Sequence, residues 1–297
     1  MVQTPGRPVT LADVVATLDD LYPPRTAEGW DAVGTVAGDP AQPVRRVLFA
    51  VDPVETVLDE AVEWGADLVV THHPLLLKPV HSVAATTFKG ALVHRAVREG
   101  VALHVAHTNA DSAPGGVADA LADLLGLVDR RPLVPHDADP ARGIGRVGRL
   151  VSPTTLRAFA EAVAATLPAT VQGVRVAGDP DATVETVAVV GGSGDSLFDD
   201  VREAGADVYV TSDLRHHPAS ELRERAAFEA RGSDGPARPY LVDTAHFASE
   251  WPWLAVAARD VVTRLAPLGT VEARVSTRST DPWTFRVEHN CIERTPL

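Results

Sequence analysis

The chain reads as an α/β protein of two pseudo-repeated lobes with mostly parallel core sheets, and three observations predict it. Short apolar strand runs alternate with amphipathic helical stretches over residues 44–125, the pattern of βαβ units. Residues 44–71 match residues 184–211 without a gap at an offset of 140, a self-similarity that points to duplication. Histidine-bearing clusters recur at the ends of predicted strands, where open α/β sheets place their ligand sites.

Taken in order, Thr10 caps a helix running to about Leu21, with Asp13 as its capping-box partner and Leu11, Val14, Val15 and Leu18 as the apolar stripe. Pro23 and Pro24 end it. The Gly-rich stretch 27–40 lacks the Lys-Ser/Thr ending of a phosphate-cradling loop. Strands are predicted over 44–51, 67–71 and 101–108, and helices over 54–64, 91–98 and 116–125. Residues 129–142, rich in Pro, Asp and Arg, read as a linker. The lobes are therefore expected at 1–130 and 131–297, with a site between them drawing on both.

Beyond the linker, 144–151 and 174–177 read as strands and 154–166 as a helix. The repeat follows: GADLVVT (65–71) falls on GADVYVT (205–211), and Val44, Val47, Asp59 and Glu63 fall on Val184, Val187, Asp199 and Glu203. Any two strand–helix–strand units share valines and a helix-ending glycine, but this run favours two homologous lobes. A strand then ends in a His/Glu cluster, Pro252 stands at the first position of a helix over 254–265, and 270–276 forms the last strand.

Composition narrows the function. At 297 residues, 45% hydrophobic and 23% charged, the chain is an ordinary soluble one. It lacks a run of the roughly 20 apolar residues a membrane span needs and a secretory pattern at its start, so a cytoplasmic protein is expected. The single cysteine, Cys291, excludes a disulfide framework and thiolate-based zinc or iron–sulfur sites. A net charge of −13 argues against nucleic-acid binding.

The chemistry sits in three clusters. His72 and His73 follow a strand and precede Pro74, so both imidazoles can lean into one pocket where the chain turns. Asp111 follows the strand that ends in His107 and Thr108. His246 and Glu250 are spaced i, i+4, although Pro252 suggests an entry turn rather than a helix face. Each residue alone has an ordinary reading, as a turn aspartate, a helix-start glutamate or a core histidine. Together they are nitrogen and oxygen donors with one carboxylate able to bridge, which suits two first-row ions sharing a water or hydroxide. A closed structural site would use four ligands, usually with sulfur. His107 and His81 are weaker candidates for moving a proton. His216 and His217 read as surface residues.

Several stretches resemble the family of GTP cyclohydrolase 1 type 2 homologues, the Nif-three-like dinuclear metal-centre proteins. They are GWDAVGTVAGDP (29–40), THHPLLLKPV (71–80), HTNADSAPGGVADALADLLGL (107–127), GIGRVGRL (143–150), SDLRHH (212–217) and DTAHFASE (243–250). The resemblance implies a Nif-three-like fold, a homohexameric ring, and a two-metal site on His72, His73, Asp111, His246 and Glu250, with Glu250 bridging. The metals would be divalent, drawn from zinc, iron, manganese, cobalt and nickel. It also implies a hydrolase acting on GTP or another nucleotide or small molecule, the alternative being a non-catalytic metal-holding or scaffold protein. Three positions depart from the family pattern: Ala32 where Asn is usual, Ala245 where Gly is usual, and Phe247 where Tyr or His is common.

Overall fold

The computed structural model describes residues 7–136, 139–232 and 235–287; Cys291 lies outside them. Thr10 opens α1 (Leu11–Leu21) as its sequence predicts: its hydroxyl accepts from the Asp13 N–H, and the Asp13 carboxylate accepts from the Thr10 N–H. Two of the helix's end donors are thereby satisfied reciprocally. The first lobe continues through β1 (Gly34–Ala37), β2 (Arg46–Ala50), α2 (Glu55–Trp64), β3 (Leu68–Thr71), α3 (Phe88–Glu99), β4 (Ala102–Val105), α4 (Thr108–Ser112) and α5 (Val117–Leu124). Then come β5 (Val128–His136), β6 (Asp139–Thr155), α6 (Leu156–Thr166), β7 (Arg175–Ala177), β8 (Thr183–Ser193), α7 (Phe198–Glu203) and β9 (Val208–Ser212). The remainder is α8 (His216–Glu229), β10 (Tyr240–Thr244), α9 (His246–Glu250), α10 (Pro252–Leu265) and β11 (Glu272–Val275).

Two sheets result. The first has the order β1-β4-β3-β2-β11 and is parallel except where β1 runs against β4. The second has the order β5-β6-β8-β9-β10-β7. Only β8, β9 and β10 are parallel there, so this sheet is mixed rather than mostly parallel.

The repeat seen in the sequence is a repeat in space. Val47, Leu48 and Phe49 pair with Leu68, Val69 and Val70, and the residues 140 further on pair in the same register. The shared Gly-Ala-Asp has a local explanation. Gly65 and Gly205 sit at φ 72° and 69°, the left-handed conformation that ends a helix most readily at glycine. Asp67 accepts from the backbone N–H groups of Arg45 and Arg46 at 2.7 and 2.9 Å; Asp207 does the same for Glu185 and Thr186 at the same distances. Each carboxylate ties the start of one strand to the start of its neighbour.

Two expectations are corrected. Residues 129–136 and 139–142 are not a linker but nearly all of β5 and the start of β6 in an antiparallel pair, with Pro132 opposite Arg146 and Pro135 opposite Gly143. Prolines are tolerated there because β5 is an edge strand, and among the described residues no strand pairs with its outer side and needs their missing N–H groups. Nor does the second lobe keep everything after residue 130. β11 hydrogen-bonds to β2 in the first sheet, and Trp253, Leu254, Ala257, Val261 and Leu265 of α10 pack with Leu11, Leu18, Phe49 and Val70. In exchange, Leu121 and Ala122 of α5 join Leu156, Val187 and Val208 of the second sheet. A helix with apolar residues on more than one face must bury them on two partners, and α5 meets this by also giving Val117 and Ala120 to the first core.

Candidate metal centre

His72 and His73 stand just past β3, where their backbone N–H groups still bond to the carbonyls of Ala50, the last residue of β2, and Val51, the next one. The strand ends at this point, and the two imidazoles, which mid-strand would face opposite sides, converge to a ring-centroid separation of 5.0 Å. His107 and Asp111 bracket the first turn of α4, after β4. His246 and Glu250 begin and end α9, after β10. They therefore share a helix face at i, i+4, contrary to the entry-turn reading, because Trp251 stays helical and carries the chain on into α10. α4 and α9 occupy equivalent places in the two lobes, since β3–β4 and β9–β10 are matching parallel pairs.

All five expected residues come together around Glu250. One of its oxygens lies 3.4 Å from His72 Nε2 and 2.9 Å from His246 Nε2, and the other lies 3.2 Å from His73 Nε2. Asp111 Oδ1 is 3.8 Å from His72 Nε2. His73 Nε2 and His246 Nε2 are 3.2 Å apart. Ring nitrogens of His72, His73 and His107 also lie within 4.8 Å of one another, which adds His107 to the candidate ligands.

Each imidazole is held from behind. Nδ1 of His72 donates to the Ala106 carbonyl at 3.0 Å, that of His73 to Asp52 at 2.7 Å, that of His107 to Asp31 at 2.8 Å and that of His246 to Asp213 at 2.6 Å. Asp52 is itself held by the Thr280 hydroxyl, and Asp31 accepts from both the backbone and hydroxyl of Thr108. A neutral imidazole that donates through Nδ1 turns the Nε2 lone pair the other way, here toward Glu250.

The residues fit a metal on two grounds. His72 Nε2 and Glu250 Oε2 are buried polar atoms with no hydrogen-bond partner, an expense a protein rarely carries without a ligand to satisfy it. The charges also call for a cation. Burial opposes ionising Glu250, yet the surrounding imidazoles hold it well below the usual carboxylate range. Burial likewise resists charging His246, but Glu250 and Asp213 push it up to about 10. His72 and His73 move the same way: burial opposes their charging, but Glu250 together with Asp111 for His72, and with Asp52 for His73, outweighs it.

Two cavities flank the cluster. The larger, about 440 Å³, is lined by Trp30, His107, Asp111, Gly192, His246 and Glu250 among others. The smaller, about 290 Å³, includes Asp52, His73, Asp213, Phe247 and Thr280. Gly192 is required by position: its φ is +71°, and a Cβ there would lie 2.5 Å from Glu250 Oε1 and 3.0 Å from His246 Nε2.

Asp31, Asp52, Asp213 and Gly192 went unnoticed in the sequence. At the offset of 140 Asp52 falls on Gly192 and His73 on Asp213, unlike residues in each case, so the repeat places these positions together without marking them by residue type. His81 lies in an exposed stretch. His216 and His217 start α8 and meet edge to face at 5.2 Å, and His216 lines a separate cavity with Arg175 and Arg223. Of the three departures, Ala32 still donates its N–H to Asp31, Ala245 caps α9, and Phe247 is buried in the first core.

Fold and site together define a duplicated α/β protein with a buried His/carboxylate cluster suited to metal. The chain belongs to the Duf34/NIF3 (NGG1p interacting factor 3) family, whose model matches residues 9–282. A Streptomyces coelicolor protein named GTP cyclohydrolase 1 type 2 homolog is 54% identical over 280 residues, covering 93% of this chain and 94% of that one. A Mycobacterium tuberculosis protein of the same name is 36% identical over 383 aligned positions, covering 93% and 97%. That alignment is longer than this chain, so the relative carries inserted residues that this protein lacks. Among solved structures, a Bacillus cereus protein related to NIF3 superimposes with a TM-score of 0.82 at 24% identity, covering 94% of this chain and all of that one. No helix among the described residues is long and apolar enough to cross a membrane.

Proposed function

We propose that the protein is a metal-dependent hydrolase that holds two divalent ions and acts on a nucleotide or another small molecule. One observation carries this reading: both oxygens of Glu250 face imidazole Nε2 atoms whose Nδ1 atoms are already committed elsewhere. Glu250 would bridge the two ions, and His72, His73, His107, Asp111 and His246 would supply the remaining donors. Two divalent ions, when bound, supply Lewis acidity and bring the pKa of a water toward neutrality. The protein's own part is to hold the donors rigidly, keep the cluster buried, and leave the larger cavity open along the Asp111 and Glu250 side.

A second reading, a metal-holding or delivery protein, draws on the depth of the cluster: His72 is fully buried and Glu250 is 3% exposed. Metal content per chain, measured with turnover of GTP and a phosphoester panel on the same sample, separates the two. Two ions with metal-dependent turnover support the hydrolase, whereas two tightly held ions without turnover leave the holding role. Fewer than one ion after reconstitution overturns the site itself. A homohexamer and a cytoplasmic location are carried in this proposal on family resemblance and composition; light scattering that found a particle of other than six chains would remove the first.

A further inference from the structure

The larger cavity carries information about its occupant. Its described lining includes Glu28, Asp111 and Glu250 but neither a lysine nor an arginine. The smaller cavity across the cluster has the same character, with Asp52, Asp213 and Asp281 and again neither basic residue. Adding Asp31 behind His107, seven carboxylates surround a cluster whose two divalent ions would bring four positive charges. A polyphosphate, recognised elsewhere by Arg, Lys or helix-end donors, finds no such side chain among these walls and meets a net negative field.

Trp30 supplies what the charges do not. It lines the mouth of the cavity, and 61% of its surface is exposed. A cavity lined by an aromatic side chain and a few convergent polar groups has the usual make-up of a ligand site, and Trp30 with the His/Glu cluster meets that description. Its loop is nonetheless fixed: the Glu28 N–H donates to the Thr108 hydroxyl, the Asp31 N–H donates to the Glu28 carbonyl, and the Asp31 side chain ties to His107 and Thr108. The ring is thus held 5.9 Å from the His107 ring without needing to be ordered on binding. Ile144, Val190 and Leu197 line the cavity with further apolar surface, and Ser193 and Ser196 add hydroxyls.

We propose that this cavity takes an uncharged heterocycle of nucleoside size, stacked on Trp30 with its edge toward the His/Glu cluster, and discriminates against nucleoside triphosphates. The proposal narrows the substrate class of the hydrolase reading and rests on that reading for the metals. Stacking on a held aromatic tolerates different bases, so the selection is by charge rather than by base.

Calorimetric titration of the metal-loaded full chain tests it, using guanosine, adenosine and uridine and, with excess magnesium, their triphosphates. At least one nucleoside is expected to bind, with its triphosphate about tenfold weaker or worse. Trp30→Ala should weaken that nucleoside by about tenfold, while Trp30→Phe stays within about threefold, both with wild-type metal content and melting temperature. A triphosphate as tight as its nucleoside overturns the proposal, as does a Trp30→Ala variant that binds normally, or three nucleosides that all fail to saturate at millimolar concentration. The hydrolase reading fails separately. Nucleoside binding through Trp30 without any turnover would remove the hydrolase and keep the subsite, and turnover of a phosphoester indifferent to Trp30 would do the reverse.

Discussion

His73 Nε2 and His246 Nε2 lie 3.2 Å apart although 173 residues separate them in the chain. Both face Glu250, and each is anchored on its far side by an aspartate, Asp52 for one and Asp213 for the other. With both Nδ1 hydrogens committed to aspartates, the two Nε2 lone pairs face each other unless a proton or a metal ion lies between them.

Glu250 faces the imidazoles of His72, His73 and His246 with its two oxygens, whereas His73 offers the cluster a single nitrogen, its Nδ1 being held by Asp52. Glu250→Ala is therefore expected to lose both ions, and His73→Ala mainly one. Metal counting by plasma emission on the two purified variants reads this directly, and equal losses would remove Glu250 as the bridge.

Asp52 orients His73 without reaching Glu250. Asp52→Ala should leave the ligand set complete but weaken metal binding about 10–100-fold, the usual effect of losing an orienting carboxylate. Competition against a fluorescent chelator measures it; a variant that competes like wild type would show that His73 is positioned by packing alone.

Gly192 and Gly100 both sit at positive φ, +71° and +70°, but only Gly192 has the cluster against it, while Gly100 has open space. Alanine at either position costs about 1–2 kcal/mol of backbone strain. Gly192→Ala must in addition displace Glu250 or His246, so it alone should lose metal. Paired thermal melts and metal counts would expose an error here if Gly100→Ala lost as much metal as Gly192→Ala.

Arg146, 3% exposed, joins the lobes' shared region through a bidentate pair with Asp119 and bonds to the carbonyls of Ala113, Gly143 and Gly145. Arg146→Ala removes the charge partner of Asp119 and the guanidinium donors to these carbonyls, and should cost about 3 kcal/mol in urea denaturation. Arg146→Lys should recover little, because a single ammonium cannot reproduce the fork. A loss under about 1 kcal/mol would show water taking the guanidinium's place.

His104 gives the clearest pH dependence. It is 2% exposed, its Nδ1 lies 3.1 Å from the Thr35 hydroxyl, and burial alone lowers its pKa from 6.5 to about 4. Between those values the unfolded chain takes a proton that the folded chain refuses, so stability is full above pH 6.5 and falls as pH drops toward 4. The loss is about 3 kcal/mol. Chelator-treated wild type should show this slope in denaturation from pH 7 to 4.5, and His104→Gln should show a shallower one; parallel slopes would place the acid sensitivity elsewhere.

Parts of the molecule were legible because their causes are local. The Thr10–Asp13 box needs residues three apart, and Gly65-Ala66-Asp67 carries its helix stop and strand tie within one short run. The β5–β6 pair was not legible, since Pro132 and Pro135 look like breakers until the strand is known to be an edge. The exchange of α5 and α10 between cores was hidden for a similar reason: the apolar face of a helix does not name the sheet that covers it.

By itself the sequence determined the kinds of atoms available, nitrogen and oxygen donors without thiolates at strand ends, and the duplication that arrays them. Only the tertiary structure decided that His72, His73, His107, Asp111, His246 and Glu250 meet, that aspartates aim the imidazoles inward, and that Gly192 leaves room for Glu250. A donor's type is a property of its residue, but its direction is set by backbone and side-chain partners from strands that are distant in the chain and adjacent in the fold.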